Sequence, residues 1–212
     1  MDSEFWQTRW RNNEIGFHEG QPNLLLREHF HQLNLTEGSQ IFVPLCGKAM
    51  DLDWLAGNGH QVIGIELNQT AVEEVFKRND LAPDIHAGEH HLRYRAAGLE
   101  IFVGDFFHLS SEMIGVIDAV YDRAALVALP APMRRKYAQH LYDITGGTHQ
   151  LTITFDYDQA QMDGPPFSIP AEEVAALYGD KYHFELVASQ KISGPLSKRC
   201  AGTENAWLLK AN

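Results

Sequence analysis

The chain has 212 residues, 44% hydrophobic and 21% charged, the ordinary balance of one globular domain with a sizeable core. Its formal net charge of -11, from 17 Lys and Arg against 28 Asp and Glu, argues against nucleic acid or an anionic membrane as partner, because such partners are held by clustered cations. The start MDSEFWQTRW lacks the basic and apolar regions of a secretory signal, no run reaches the roughly eighteen apolar residues of a membrane span, and two cysteines, Cys46 and Cys200, are too few for a disulfide framework or a zinc site, so a cytoplasmic protein with free thiols is expected.

In chain order, the segment up to about Thr36 is helical by pattern, with Trp6 and Trp10 one turn apart and Leu24, Leu25 and Leu26 further on. It reads as a helical lid or flank (1–36) on a core of 37–212, the two forming a single domain. Gln40 to Val43 reads as a buried strand, and a helix from about Ala49 puts Leu52 and Leu55 on one face before Gly57 and Gly59 stop it. Gln61 to Ile65 is a second buried strand, and the helix after it turns Ala71, Val72, Val75 and Phe76 inward, completing a βαβ unit. An irregular, His-rich insert follows between Asn79 and Gly98, and its end, LRYRAAGLEIFV, reads as a short hairpin closed at Ala97-Gly98. Leu99 to Val103 and Val116 to Tyr121 are strand-like. A helix marked by Met133, Tyr137, Leu141 and Ile144 follows Pro130 and Pro132 and ends at Gly146-Gly147, with Arg134-Arg135-Lys136 as its solvated face. Leu151 to Phe155 is a strand and Pro170 to Tyr178 a short helix. Tyr182 to Gln190 and Ala206 to Lys210 are late strands with no helix between them, hence an antiparallel ribbon. This alternation predicts an α/β fold, a doubly wound and mostly parallel sheet with helices on both faces.

The stretch IFVPLCGKAMD, residues 41–51, is where a ligand should sit, because a strand there turns into a helix N-terminus. It is not a phosphate loop of the form G-x-x-x-x-G-K-[ST], since Phe42 takes the place of the first glycine and Ala49 that of the hydroxyl residue. Nor does it carry the two or three glycines of a dinucleotide fingerprint. Glu66, however, ends the second strand nineteen positions after Gly47, where a carboxylate can accept hydrogen bonds from two ribose hydroxyls. An adenosine ligand without phosphates satisfies both facts, and S-adenosylmethionine is such a ligand; a merely solvated strand end is the alternative for Glu66.

Taken together, Trp6-Gln7-x-x-Trp10, Gly16-Phe17-His18, FVPLCGKAMDLDWLA, GHQVIGIEL, YDRAALVALP and GPPFSIP resemble thiopurine S-methyltransferase in its bacterial form, over nearly the whole chain. PLCGK is unusual among class I methyltransferases, which carry a glycine-richer first loop. The resemblance implies a seven-stranded, Rossmann-like methyltransferase sheet, S-adenosylmethionine as methyl donor with S-adenosylhomocysteine as product, and S-methylation of thiopurines and other aromatic or heterocyclic thiols. It also implies donor contacts at Trp10, Leu45, Glu66 and Arg123, an adenine-side pair at Asp105-Phe106, and a substrate-side aromatic at Phe17.

Methyl transfer from a sulfonium to sulfur asks for in-line geometry and a thiolate, not for an acid–base triad. A fixed cation favours the thiolate, and Arg123, in Tyr121-Asp122-Arg123 at the carboxyl edge of the sheet, is the candidate; pairing with Asp122 or with the donor's carboxylate is its alternative role. Phe17 and Trp10 are placed to exclude water and stack on flat rings, with core packing as the alternative, while Trp6 reads as a packing residue. Gly164-Pro165-Pro166-Phe167 is like the base-gripping loop of amino-group methyltransferases but follows the fifth strand rather than the fourth. His86, Glu89, His90 and His91 lack the partners of a metal site, and Asp156, Asp158 and Asp163 lack calcium-loop spacing, so no metal is expected. The competing functions are methylation of inorganic selenium, tellurium or halide species, and donor binding without catalysis. The expected partner is a small-molecule thiol, and the expected state a monomer.

Overall fold

The computed structural model describes residues 3–12, 14 and 18–211. Helices α1 (Ser3–Arg11) and α2 (Leu24–His29) precede strand β1 (Gln40–Val43), and then come α3 (Met50–Gly57), β2 (Gln61–Glu66) and α4 (Gln69–Arg78). The middle of the chain holds β3 (Asp84–Ala87), β4 (Leu92–Ala96), β5 (Leu99–Val103), α5 (Ser111–Ile114), β6 (Ala119–Arg123) and α6 (Ala131–Thr145). The last third is β7 (His149–Tyr157), α7 (Ala171–Tyr178), β8 (Tyr182–Lys191) and β9 (Gly202–Ala211).

Among the described residues these strands make one nine-stranded sheet in the order β3-β4-β5-β2-β1-β6-β7-β9-β8. β5, β2, β1, β6 and β7 run parallel, and the late ribbon β8–β9 is antiparallel as expected, its strands joined through a short 3-10 turn at Gly194–Lys198 and no α-helix. The seven expected strands are therefore present, and β3 and β4 extend them beyond β5. The hairpin at Ala97-Gly98 is the β4–β5 turn. Strand β3 escapes a reading by period because all four of its residues are exposed, so no alternation marks it; pairing with β4 alone makes it a strand.

The fourth parallel strand begins later than its apolar run suggests and ends later too. Val116 is 75% exposed, and pairing with β1 starts only at Ala119, after Asp118 has accepted a hydrogen bond from the Gln40 N–H (2.7 Å). At its other end Asp122 and Arg123 stay in the strand despite their charge. Alternation sends them to opposite faces. Asp122 enters the core beside α6, where Tyr137 donates to it, while Arg123 shares a face with Tyr121 and α3.

The two faces carry separate cores, one built around Phe42, Phe106, Tyr137 and Tyr178, the other around Ile41, Leu52, Val72 and Tyr121. Helix α4 starts where the Asn68 side chain accepts from the Ala71 N–H (2.9 Å), and α6 stops at Gly146, whose φ of 68° suits a residue without Cβ. Arg134 departs from its expected solvated position. It is buried, with Nε donating to the Leu129 carbonyl (2.8 Å), Nη1 to both oxygens of Glu173, and the guanidinium against the Phe167 ring. The basic run thus hides a tie between α6, α7 and the Gly164–Phe167 loop, while Arg135 and Lys136 are exposed as read.

Candidate active site

Strand order reverses at β1, whose neighbours β2 and β6 lead their helices to opposite faces, and doubly wound sheets bind ligands in the crevice this opens at the carboxyl ends of the strands. The turns leaving β1 and β6 both bend through left-handed backbone at non-glycine residues, Leu45 (φ 46°) and Ala124 (φ 62°). Such conformations cost about 1–2 kcal/mol each and persist where surrounding contacts over-determine them, typically beside a ligand. Both residues line the same cleft.

Glu66, only 6% exposed, closes the opposite side of the β1 turn. One carboxylate oxygen accepts from the Gly47 N–H (2.9 Å) and the other from the Asn68 N–H (2.8 Å), so a single side chain ties together the turns that begin α3 and α4. Burial raises its pKa, and the backbone bonds from Asn68, Gly47 and Leu67 oppose that rise by favouring the anion. Each oxygen keeps a second lone pair for a further donor. Phosphate does not fit here. The Gly47 N–H that would face it is spent on Glu66, the carboxylate would repel it, and the Lys48 ammonium is already paired with Glu74 (2.6 Å). Arg78 fixes the turn from behind, donating to the Ala49 carbonyl (2.9 Å) and pairing with Asp53.

The cleft's far wall holds one buried cation among carboxylates. The Arg123 side chain is 9% exposed and lies 2.9 Å from Glu19 and 3.9 Å from Asp51. Asp51 is itself fixed, accepting from the Asn23 N–H (2.7 Å) and the Tyr121 hydroxyl (3.1 Å), and Glu204 accepts from Asn23 Nδ2 (3.0 Å) and Gln190 Nε2 (2.9 Å). Burial disfavours the Arg123 charge, but Tyr121, Asp51, Glu19 and Glu204 outweigh it and raise the pKa, so the guanidinium is a permanent cation. Asp122 takes no part in this pairing.

Helix α1 covers the opening. Gln7 donates to the Leu67 carbonyl (3.1 Å) and accepts from Asn68 Nδ2 (2.8 Å), which pins the helix beside Glu66. Trp10 packs close over Gly47, where a Cβ would sit 3.5 Å from the indole. Trp6, read as a packing residue, lines the cleft as well.

Of the residues singled out in the sequence, Trp10, Leu45, Glu66 and Arg123 line this one cleft. Phe17 lies outside the described residues. Asp105 and Phe106 are not among the lining residues: the Asp105 carboxylate accepts from the Phe107 N–H (3.0 Å), and the Phe106 ring is 1% exposed, 5.0 Å from Tyr137 and 6.5 Å from Phe42. Phe106 lies three residues past the end of β5, and its large aromatic side chain is buried in the core as such residues usually are. Pro165 and Pro166, set aside as a decoy, do face the cleft. Asp51, Glu204 and Glu19 carried no local signal, since their shared business with Arg123 and Asn23 spans up to 181 positions of chain. Among the described residues no metal-binding group of His, Cys, Asp and Glu occurs, and no helix is long and apolar enough to cross a membrane. Both cysteines are buried and unpaired, and burial followed by the Glu66 charge pushes the Cys46 thiol well up, which makes it inert.

Asp122 supports the cleft from the other face of the sheet. Its carboxylate accepts from the Tyr137 hydroxyl (2.7 Å) and from the Leu126 N–H (3.2 Å), which holds the chain just after Arg123 and Ala124. Burial raises its pKa from 3.8 to about 6 against the pull of those bonds. The folded value lies above the unfolded one, so protonation favours folding, and stability from this group grows as pH falls from about 7 towards 4. Asp122→Asn removes that gain. The stability difference between wild type and variant should therefore shift by about 2–3 kcal/mol in favour of wild type over this range. Urea unfolding of both proteins at pH 7 and pH 4.5 measures it, and an unchanged difference would mean that Asp122 titrates normally.

Comparison with known proteins accords with this geometry. The family description "Thiopurine S-methyltransferase (TPMT)" matches residues 1–209. The thiopurine S-methyltransferase of Xanthobacter autotrophicus is 45% identical over 211 residues, 99% of each chain, and that of Teredinibacter turnerae 44% identical over 212 residues, 100% of this chain and 99% of the relative. Among solved structures, an S-adenosylmethionine-dependent methyltransferase from Anabaena variabilis superposes with a TM-score of 0.67 at 14% identity, covering 99% of this chain and 95% of its own. The 1,6-didemethyltoxoflavin-N1-methyltransferase of Burkholderia thailandensis, with bound S-adenosylhomocysteine, does so with a TM-score of 0.66 at 14% identity, covering 99% and 87%. The remote structures establish the class I methyltransferase fold, and the near-complete matches at 44–45% identity go further: this chain belongs to the thiopurine S-methyltransferase family.

Proposed function

We propose that the protein transfers a methyl group from S-adenosylmethionine to the sulfur of thiopurines and of other aromatic or heterocyclic thiols, releasing S-adenosylhomocysteine. The observation that carries this reading is the buried Glu66 carboxylate at the end of β2, tied to the Gly47 and Asn68 amides and lining the cleft beside a β1 turn whose Gly47 N–H and Lys48 ammonium are already engaged. A ribose diol fits such an acceptor, and a phosphorylated nucleotide does not. When bound, the donor supplies an electrophilic sulfonium methyl.

The protein's own residues then have three tasks. Glu66 orients the ribose; Leu45 and Trp10 bound the donor's side of the cleft, with Trp10, Phe17 and the rest of the 1–36 segment acting as a lid on a single domain. Arg123 favours the thiolate form of the acceptor by its charge, in a site where burial strengthens that effect. We assign Asp105 and Phe106 to the adenine end through their backbone, since the Asp105 side chain caps the following turn and the Phe106 ring is in the core. The partner is a small molecule, the working state a monomer and the setting the cytoplasm, consistent with the acidic surface.

The test is direct. Protein incubated with methyl-labelled S-adenosylmethionine and either 6-mercaptopurine or thiophenol should yield the S-methylated acceptor, and omission of the thiol should leave the label on the donor. Donor binding without transfer to any aryl thiol, or transfer only to selenite, tellurite or halide, would contradict the assignment.

A further inference from the structure

The Arg123 cluster holds one cation against three carboxylates, and the three differ in freedom. Asp51 and Glu204 are 1% and 7% exposed, each held by two hydrogen bonds from fixed donors. Glu19 stands before α2 outside any described helix or strand, its side chain is 51% exposed, and among the described residues its side-chain partner is Arg123 alone, at 2.9 Å. Burial raises the Glu19 pKa, Arg123 pulls it back, and Glu204 and Asp51 push it up again. Glu19 is thus the loosest carboxylate on the best-placed cation, and it lines the same cleft as Leu45 and Glu66.

We propose that Glu19 is a resident stand-in for a ligand anion: it occupies Arg123 in the unliganded protein, and the ligand must displace it to reach the guanidinium. This rests on the methyltransferase reading above. Two ligand groups share the required chemistry, the α-carboxylate of the donor and the thiolate of the acceptor. A fourth anion cannot join the cluster without leaving it at three net negative charges around one guanidinium, so exchange is favoured over addition. Asp51 and Glu204 cannot leave, because each would abandon two buried hydrogen bonds. The consequence is selection: a ligand that brings no anion leaves Glu19 in place, and one that brings an anion must compete with it.

The experiment compares wild type with Glu19→Gln, a substitution of nearly equal volume at a half-exposed site. Calorimetric titrations use S-adenosylhomocysteine and 5′-methylthioadenosine, the latter being the same nucleoside thioether without the amino-acid end, and steady-state assays give KM for thiophenol. Removing the competitor should tighten the displacing ligand about two- to fivefold, the range of a partly exposed ion pair. Tighter S-adenosylhomocysteine with unchanged 5′-methylthioadenosine supports the proposal and assigns the anion to the donor's carboxylate. A lower KM for thiophenol with both nucleosides unchanged supports it and assigns the anion to the thiolate. Unchanged or weaker binding of all three ligands, with wild type binding both nucleosides normally, overturns the stand-in role alone. Failure of wild type to bind either nucleoside would overturn the methyltransferase reading beneath it.

Discussion

Glu66→Ala is expected to raise the dissociation constant for S-adenosylmethionine at least tenfold. The lost interaction is a charged acceptor facing two hydroxyls, and hydrogen bonds to charged groups contribute about 1.5–3 kcal/mol, where about 1.4 kcal/mol is already a factor of ten. A second loss adds to the first. The same carboxylate holds the Gly47 and Asn68 amides, so its removal leaves two buried N–H groups without their acceptor and frees the turn that carries Leu45. Glu66→Gln offers a control: it retains an acceptor oxygen but not the charge or the second acceptor, and should fall between wild type and alanine. Calorimetry with the donor reads both, and an unchanged dissociation constant in the alanine variant would remove Glu66 from the site.

Arg123→Ala should be damaging in two separable ways. In the folded protein it leaves Asp51, Glu204 and Glu19 facing one another without their shared cation. Breaking a buried ion pair on one side costs about 3–5 kcal/mol, which for a chain of this size lowers the melting temperature by roughly 10 °C. In catalysis, turnover with an aryl thiol should fall further than donor affinity does, because the guanidinium acts on the nucleophile. Glu19→Ala does not mimic this, which distinguishes loss of the cation from loss of one of its partners. Equal losses in turnover and donor affinity would confine Arg123 to holding the donor, and an unshifted melting temperature would mean that the surrounding carboxylates had rehydrated or taken up protons.

The parallel core of the fold was readable because its signals are local. Buried runs such as VIGI, residues 62–65, and helix faces such as Ala71, Val72, Val75 and Phe76 repeat at the period of the element they form. The exposed strand β3 has no such period, and β6 defeats it by carrying Asp122 and Arg123 inside its last turn of pairing. The same contrast runs through the site. Glu66 and Leu45 stand beside strand ends and could be placed from one stretch of chain; the company of Arg123 could not, since Asn23 meets Glu204 only when the two ends of the sequence are brought together. Arg134 teaches the opposite caution: within a basic run on an amphipathic helix, one guanidinium is buried because Glu173 and the Leu129 carbonyl await it from elsewhere.

Leu45 and Ala124 both line the crevice with backbones that ordinary side chains avoid. A wound spring describes their condition: the shape survives only while Glu66, Arg78 and Asp122 keep hold of the peptides around it. Glycine at Ala124 would relax the chain for the loss of one methyl group and raise its heat tolerance, yet the relaxed loop would no longer be obliged to keep the mouth of the crevice in shape. A hardier protein with a poorer catalyst inside it is the trade this architecture invites.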